Sequence, residues 1–367
     1  MINVLFVGPD VYSTVGNGGI LSWSKKFVKN FPNEEFQIIH AANSYRRCKS
    51  TNASIISRII DGLLDLCFAY KNAKRALKQN DIKLFHTVTS GSLGTLRDLC
   101  LIKLCHRHGI KGIMHCRYGC ITEDINSKGL IGCLLRKTMS EYDQIWVLDS
   151  RSYNTLNNNP KYAGKIYLTP NSIQIKEPQD LLLKQYNKVA FIGNLISTKG
   201  IYELTEAVAR TENVHLDIVG AGEDEVVNHI KELAGQKLGS QIVLHGRLEN
   251  DLAVKFMKSV DIVALPTYYP SEGFPISILE AMSLSKMVIS CPRAAIKDML
   301  TDVDGNPCGI LVKEKSVDEI EQALHWCQDN KVVADKMCAK AYEKVYTSYR
   351  QEVIYELYRN CYRKLLI

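Results

Sequence analysis

The feature that most constrains the fold is an alternation of short apolar runs with longer amphipathic segments along both halves of the chain. Short apolar runs bounded by turn residues predict buried strands, and segments with a 3.6-residue period predict helices. Because parallel strands need a crossover connection, the alternation predicts an α/β fold with helices on both faces of parallel sheets. In the first half, strands are expected at 3–7, 37–40, 84–86, 112–115, 144–147 and 165–168, and helices at 20–30, 55–79, 95–108 and 130–140.

The second half repeats this pattern, so two Rossmann-like domains are the simplest architecture for 367 residues. We expect a first domain at 1–172 and a second at 185–350, joined by a polar connection with Pro178 and a Leu run at 181–183. A helical pattern at 351–367 ends the chain. Strands are expected at 189–192, 216–219, 242–245, 261–265 and 287–290, and helices at 200–209, 224–233 and 251–259.

Composition excludes several classes of protein. The hydrophobic content of 46% is that of a globular domain, and no apolar run approaches the length of a membrane span. Residues 1–7 have no basic start or cleavage site, so we expect a strand there and a cytoplasmic protein. The twelve cysteines are scattered without a Cys-x-x-Cys pair, which predicts reduced, mostly buried thiols and no structural metal.

The charge is unevenly distributed along the chain. Residues 1–170 hold 23 Lys and Arg against 12 Asp and Glu, whereas the remainder is weakly acidic. A basic half suits either nucleic acid or an anionic membrane surface. The aromatic and basic pattern of an RNA-binding motif is absent, so we expect no nucleic acid and favour the membrane surface.

Two glutamates, Glu272 and Glu280, stand eight positions apart in the segment that follows the predicted strand at 261–265, with a Gly-Phe-Pro turn directly after Glu272. Pro275 suits the first turn of a helix, and the free backbone N–H groups of such a turn make an anion site. The pair is too widely spaced for the two carboxyl groups of a retaining glycosidase, since eight helical residues rise about 12 Å. The simpler interpretation is an ordinary helix start with an acidic residue nearby.

This run resembles the Glu-x7-Glu motif, with its internal Gly-Phe-Pro, of glycosyltransferase family 4. The resemblance implies the GT-B fold, in which two Rossmann-like domains face a central cleft and a terminal helix crosses back to the first domain. It implies a retaining enzyme that moves a sugar from a nucleoside diphosphate sugar to a hydroxyl. In that scheme Glu272 contacts the donor sugar, Glu280 binds the ribose, and no metal or other cofactor is needed.

Lys199 follows the predicted strand at 189–192 and precedes a helix, where a cation can neutralise a leaving diphosphate. A solvated loop lysine is the alternative. The segment resembles the family's phosphate motif, with Asn194 where the family has arginine. Because an asparagine carries no charge, this departure is consistent with a different donor, with weaker phosphate binding or with an inactive relative of the family.

Further candidates lie at the ends of other predicted strands. The loop 16–19 is rich in glycine, which lets backbone N–H groups approach a ligand, although a flexible βα loop is the alternative. His115 ends a strand and, by resemblance, touches the donor sugar, although a structural histidine is equally consistent. His86 and Arg117 are weaker candidates. The predicted catalytic residues are Glu272, His115 and Lys199, and the predicted donor-binding residues are Gly18, Gly19, Asn194, Gly273, Phe274, Pro275, Ile276, Ser277, Glu280 and Arg247.

The segment 54–79 combines apolar residues in its first half with Lys71, Lys74, Arg75 and Lys78 in its second. Such a helix can lie in an anionic membrane interface. It can equally be a core helix with a solvated basic end.

The family resemblance implies a retaining glycosyltransferase, and together with the basic first domain it implies a lipid-linked glycan acceptor in surface polysaccharide biosynthesis of the O-antigen or capsule type. Such an enzyme would lie in the cytoplasm or peripherally on the inner face of the membrane. A nucleotide-sugar 2-epimerase of the same architecture and a non-catalytic nucleotide-sugar-binding subunit are the alternatives.

Overall fold

A computed structural model of the chain describes residues 1–13, 18–44, 55–92, 94–175 and 184–367, and for residues 55–59 it describes only the backbone. The chain forms two compact units, Met1–Pro170 with Tyr355–Ile367, and Asn171–Ile354. Gly16, Asn17, Pro178 and the Leu run at 181–183 lie outside the described residues.

The first unit is a six-stranded parallel sheet with helices on both faces. Its strand order, β2-β1-β3-β4-β5-β6, is the flavodoxin-like arrangement of a doubly wound sheet. The strands are β1 (Ile2–Gly8), β2 (Phe36–Ala42), β3 (Ile82–Thr89), β4 (Lys111–Cys116), β5 (Gln144–Val147) and β6 (Ile166–Leu168). The helices are α1 (Gly19–Asn30), α2 (Ile55–Gln79), α3 (Gly94–His106), α4 (Ile121–Asn126), α5 (Leu130–Glu141) and α6 (Ser150–Asn157).

The two faces of this sheet carry different cores because successive residues of a strand point to opposite sides. One face buries aliphatic residues such as Leu5 and Met114 under alanines of α2 and leucines of α3. The other face presents aromatic and histidine side chains, and Trp23 and Phe27 of α1 pack on it. Helix α14 (Gln351–Leu366) covers the same face with three tyrosines, Tyr355, Tyr358 and Tyr362.

The second unit is also a six-stranded parallel sheet, with the order β12-β11-β10-β7-β8-β9. Numbered within the unit, this is the Rossmann order 3-2-1-4-5-6 read from the other edge. The strands are β7 (Lys188–Ile192), β8 (His215–Val219), β9 (Ile242–Gly246), β10 (Ile262–Leu265), β11 (Met287–Ser290) and β12 (Ile310–Leu311). The helices are α7 (Ile201–Arg210), α8 (Asp224–Ala234), α9 (Asn250–Lys258), α10 (Ile276–Ser283), α11 (Ile296–Met299), α12 (Val317–Asp329) and α13 (Lys331–Lys344).

The predicted α/β class, with two doubly wound parallel sheets, is confirmed. No helix in the described part of the chain is both long and apolar enough to cross a bilayer. The eleven cysteines within the described ranges are all free thiols, and seven of them are buried.

Candidate active site

The second sheet has its topological switch point between β7 and β10, which are neighbours in the sheet but not in sequence. From β7 the chain winds outward through β8 and β9, and it then returns to β10 on the other side. In sheets of this kind ligands bind in the crevice outside the carboxyl ends of the two strands at the switch point. The loops 193–200 and 266–275 lie at this position.

Lys199 is held by a tight turn in the first of these loops. It ends a short 3-10 helix, Ser197–Lys199, and Gly200 follows in the left-handed conformation at a φ of 73°. A Cβ on Gly200 would lie 2.2 Å from the carbonyl oxygen of Pro266, so only glycine fits between the two loops. This close approach brings Lys199 against the second loop.

Glu272 is the partner of Lys199. The Lys199 Nζ lies 3.3 Å from the Glu272 Oε2, and both side chains are mostly buried, with exposed fractions of 17% and 12%. A second backbone link joins the same loops, because the Tyr268 N–H donates to the Thr198 carbonyl at 2.9 Å. The structure thus brings together two of the three predicted catalytic residues.

Thr267 fixes the carboxylate of Glu272 from the other side. The hydroxyl of this buried residue donates to Glu272 Oε2 at 3.4 Å and accepts the Tyr269 N–H at 3.2 Å. Sequence reasoning missed Thr267. The available signal was a polar residue two positions beyond the buried strand β10, at the edge where ligands bind.

Helix α10 begins directly after the Gly273-Phe274-Pro275 turn. Pro275 is the N-cap residue, with an extended ψ of 121°, and the helix starts at Ile276, so the prediction of Pro275 in the first turn is wrong by one position. The residue before a helix adopts non-helical angles, and proline allows this because its φ is already fixed. No side chain caps the helix, and its first turn contains no acidic residue. The amides of Ile276 and Ser277 have no intrahelical acceptor and are suited to an anion.

The backbone of this turn is anchored on both sides. The Asn171 Nδ2 donates to the Phe274 carbonyl at 2.8 Å, and the Ala295 N–H donates to the Gly273 carbonyl at 3.1 Å. The Phe274 ring packs edge-on against Tyr349. Asn171 is a second residue that sequence reasoning did not identify as functional, because only the fold brings it to a turn about a hundred residues away.

The remaining predicted residues of the second unit differ in exposure. Glu280 lies on the second turn of α10 and is only 6% exposed. Asn194 and Arg247 are exposed on the loops that follow β7 and β9. These loops are linked through the loop after β8, because the Leu195 N–H donates to the Ala221 carbonyl and the Gly220 N–H to the Gly246 carbonyl.

In the first unit, Gly18 and Gly19 are at the start of α1. Gly18 is the N-cap residue at a φ of 151°, and a Cβ on either glycine would meet open space. No side chain caps this helix. These positions are therefore accessible, but steric crowding does not require glycine there.

His115 lies inside the aromatic face of the first sheet, with no exposed surface. It is enclosed by the rings of Trp23, Trp146 and Tyr358. The predicted contact of His115 with a donor sugar stays a prediction, and its described contacts are those of a packed core residue.

His115 and His86 form one hydrogen-bonded chain whose direction follows from Arg117. A guanidinium only donates, so His115 Nε2 accepts from Arg117 at 3.1 Å and the proton of His115 is on Nδ1. That Nδ1 lies 3.3 Å from His86 Nε2, which must accept, and His86 Nδ1 then donates to the Tyr362 hydroxyl at 2.6 Å. Burial, followed by the Arg117 charge, lowers the pKa of His86 to about 3 and also lowers the pKa of His115. Both rings are therefore neutral.

Comparisons with known proteins show what the chain is similar to. Several solved structures share the fold over nearly their whole length. Sucrose-phosphate synthase from Thermosynechococcus elongatus superposes with a TM-score of 0.79 at 15% identity, covering 100% of this chain and 99% of that one. HepE of Anabaena in complex with UDP gives 0.72 at 13% identity, covering 99% and 100%. The lipopolysaccharide outer core galactosyltransferase WaaB gives 0.70 at 16% identity, covering 99% of each. The fold is that of the GT-B glycosyltransferases.

Residues 173–346 match the family model of the glycosyl transferases group 1, so the second unit carries a group 1 glycosyltransferase domain. The uncharacterized glycosyltransferase MJ1069 of Methanocaldococcus jannaschii is 30% identical over 142 residues, 37% of this chain and 35% of that protein. The putative teichuronic acid biosynthesis glycosyltransferase TuaC of Bacillus subtilis is 25% identical over 156 residues, 42% of this chain and 36% of that protein. The chain thus spans about a third of the length of these relatives. The matched domain and the names of these relatives support the prediction of a glycosyltransferase.

Proposed function

We propose that the chain is a retaining glycosyltransferase of family 4 that moves a sugar from a nucleoside diphosphate sugar to a hydroxyl acceptor. The observation that carries this proposal is the Lys199–Glu272 pair, 3.3 Å apart at the switch point of a group 1 glycosyltransferase domain. A cation and a carboxylate beside an uncapped helix start match the two parts of such a donor, a diphosphate and a sugar with hydroxyl groups.

Each side chain then has a role that its position supports. Lys199 and the amides of Ile276 and Ser277 take the negative charge that develops on the leaving diphosphate, without a metal. Glu272, oriented by Thr267, accepts hydrogen bonds from the donor sugar. Glu280 binds the ribose hydroxyls. When the donor arrives, its phosphates compete with Glu272 for Lys199, so the ion pair seen here is replaced by a lysine–phosphate contact.

Other predicted residues have more peripheral roles in this proposal. Asn194 donates a hydrogen bond to a phosphate in place of the family's arginine, and Arg247 lies near the base. Gly273, Phe274 and Pro275 shape the turn that presents the amides. In the first unit, Gly18 and Gly19 offer backbone N–H groups at the start of α1.

The acceptor we propose is a lipid-linked glycan of surface polysaccharide, reached from the cytoplasmic face of the membrane. TuaC is described as a putative teichuronic acid biosynthesis glycosyltransferase, and WaaB as a lipopolysaccharide outer core galactosyltransferase. The basic first half of the chain adds support, because an anionic membrane attracts it.

The donor is tested by a thermal-shift screen of the full chain against UDP-, GDP-, ADP- and CMP-sugars, beginning with UDP because the HepE complex contains it. The stabilising donor is then incubated with membrane extract, and the product is analysed by mass spectrometry for the added sugar and by NMR for its anomeric configuration. Glycan extended by one sugar with its anomeric configuration kept supports the proposal. Conversion of the donor alone supports the epimerase, and binding without turnover supports the non-catalytic subunit.

The two glutamates are separated by comparing affinity with turnover. We expect Glu280→Ala to weaken nucleotide binding, because the ribose loses its acceptor, at a cost of about 1.5–3 kcal/mol for hydrogen bonds to a charged group. We expect Glu272→Ala to slow transfer mainly, with a smaller change in nucleotide affinity. Unchanged turnover in both variants would contradict this assignment.

A further inference from the structure

Helix α2 presents an unusual face to solvent. Eight exposed residues lie three or four positions apart, with two adjacent pairs among them, so they form a single stripe along the helix. The stripe is apolar over its first two turns, at 60–67, and basic over its last two, at 71–78. Its members, in order, are Ile60, Leu63, Leu64, Cys67, Lys71, Lys74, Arg75 and Lys78.

The opposite face of α2 accounts for the packing of the helix on the sheet. Ala69, Ala73 and Ala76 are buried there in the aliphatic core of the first unit. Leu63 and Leu64 are 54% and 42% exposed. Packing within the unit therefore does not explain the leucines of the stripe, and the core-helix interpretation applies only to the alanine face.

The two neighbouring helices repeat the same order. On α3 the outward positions are Leu96 and Cys100, followed by Lys103 and, just beyond the helix, Arg107. On α5 the outward positions begin with Leu130, Ile131 and Cys133 and end with Lys137. Leu130 is 90% exposed, the largest fraction for any leucine among the described residues.

These three stripes lie side by side. Helix α2 packs against α3, and α3 packs against α5, on the aliphatic face of the first sheet. All three helices return from the carboxyl edge of the parallel strands, so their first turns lie at the same edge. Together they form an apolar band (Ile60, Leu63, Leu64, Leu96, Leu130, Ile131) beside a basic band (Lys71, Lys74, Arg75, Lys78, Lys103, Arg107, Lys137).

We propose that this face of the first unit docks on an anionic lipid surface. The apolar band enters the boundary between headgroups and acyl chains, and the basic band lies over the anionic headgroups. The proposal rests on the membrane-side location in the proposed function and names the surface responsible for it. It extends the sequence prediction from the single helix at 54–79 to three helices.

Charge favours lipid over a second copy of this chain as the occupant. A symmetric dimer through this face would bring basic bands of like sign close together, whereas an anionic membrane is complementary to them. The acidic residues of α2, Asp61 and Asp65, lie to one side of the stripe and are only partly exposed.

The test is flotation of the full chain with vesicles of phosphatidylcholine, with and without phosphatidylglycerol, over a range of salt concentrations. We compare the wild type with a charge reversal of Lys71, Lys74, Arg75 and Lys78 to Glu. The matched control reverses four exposed lysines outside the bands, Lys26, Lys29, Lys111 and Lys161, with the same change in net charge.

The wild type and the control variant are expected to bind the anionic vesicles, and binding should fall as salt rises. The band reversal should reduce partition by about tenfold or more, since each basic residue near the surface contributes. A variant with Leu63→Ser, Leu130→Ser and Ile131→Ser should lose binding at high salt, where only the apolar contribution remains. Equal binding of the band and control variants would overturn the proposal, as would a wild type that forms dimers through these leucines and binds no vesicles.

Thermal shift with a soluble nucleotide sugar separates this proposal from the transfer reaction. All these variants keep the second unit intact, so the donor should stabilise them as it does the wild type. Vesicle binding without any donor binding would contradict the proposed function and leave the lipid-docking surface standing.

Discussion

Both units place ionisable side chains near the carboxyl ends of parallel strands, but the two units differ in how far these side chains are buried and in whether they are charged. In the first unit, His86, His115 and Arg117 are buried under Trp23 and the tyrosines of α14. In the second unit, Lys199 and Glu272 lie on loops, keep part of their surface open to solvent and form an ion pair.

The difference follows from which residues leave the sheet. His86 and His115 belong to strands, so their side chains point into the helix layer that covers that face. Lys199 and Glu272 come after their strands have ended, and they lie on the loops that follow. The same architecture thus yields a neutral, fully buried cluster in one unit and a charged, partly exposed pair in the other, and only the latter suits a phosphate ligand.

The largest effect is expected from removing Lys199 from its ion pair with Glu272. We predict that Lys199→Ala lowers transfer by about 10²–10³-fold, the typical cost of removing one group that stabilises developing negative charge. The control is Lys188→Ala, which removes an exposed lysine at the opposite end of β7, and it should leave turnover unchanged. An equal loss of turnover in both variants would contradict a specific role for Lys199.

The second prediction concerns the closed cluster and pH. The folded-state pKa of His86 is about 3, against an ordinary value of 6.5, and that of His115 is also lowered. Below pH 6.5 the unfolded chain therefore binds protons that the folded chain does not, so the free energy of unfolding falls as pH falls. His86 alone contributes up to about 1.4 kcal/mol per pH unit below pH 6.5, and His115 acts in the same direction.

This loss should be seen in the first unit, because both rings are buried there. A Trp326→Phe variant leaves Trp23 and Trp146, which contact the histidine pair, as the fluorescent reporters. Urea unfolding of this variant should show a lower midpoint at the more acidic pH. A midpoint that does not move would contradict the neutral, buried state of the two rings.

The smallest effect sharpens the role of Thr267. We expect Thr267→Val to lower turnover by about tenfold, the equivalent of about 1.4 kcal/mol, because Glu272 loses the hydroxyl that orients it. Thr267→Ser keeps the hydroxyl and should restore most of the activity, which a purely packing role would not predict. A kcat fall with little change in the donor KM is the expected signature, and equal activities of the valine and serine variants would argue against the hydrogen bond.

Many of the strands and helices could be predicted from the sequence. The strand at 144–147 and the helix at 55–79 match the observed elements, and the helix at 351–367 matches to within one residue, because their apolar periods are long or sharply bounded. Helices α12 and α13 were not predicted, and the short α4, α6 and α11 carry too few turns for a clear period. The pairing of Lys199 with Glu272 could not be read from sequence, because it depends on β7 and β10 becoming neighbours across two intervening strands.

The exposure of the leucines of α2 could not be predicted from the sequence either. A broad apolar side predicts a buried face, whereas the structure buries the alanines and leaves Leu63 and Leu64 open. Periodicity shows that a helix has two faces, but which face meets the sheet depends on side-chain size. Small alanines allow close approach to the strands, and the larger leucines are then left outside.

The central claim is that the Lys199–Glu272 edge of the second unit binds the diphosphate of a nucleotide sugar. Isothermal titration calorimetry of the full chain, with a nucleoside diphosphate and the matching monophosphate, tests it most directly. The account predicts that the wild type prefers the diphosphate, that Lys199→Ala loses about tenfold or more of this preference, and that Lys188→Ala keeps it. An undiminished preference for the diphosphate in Lys199→Ala would contradict the account.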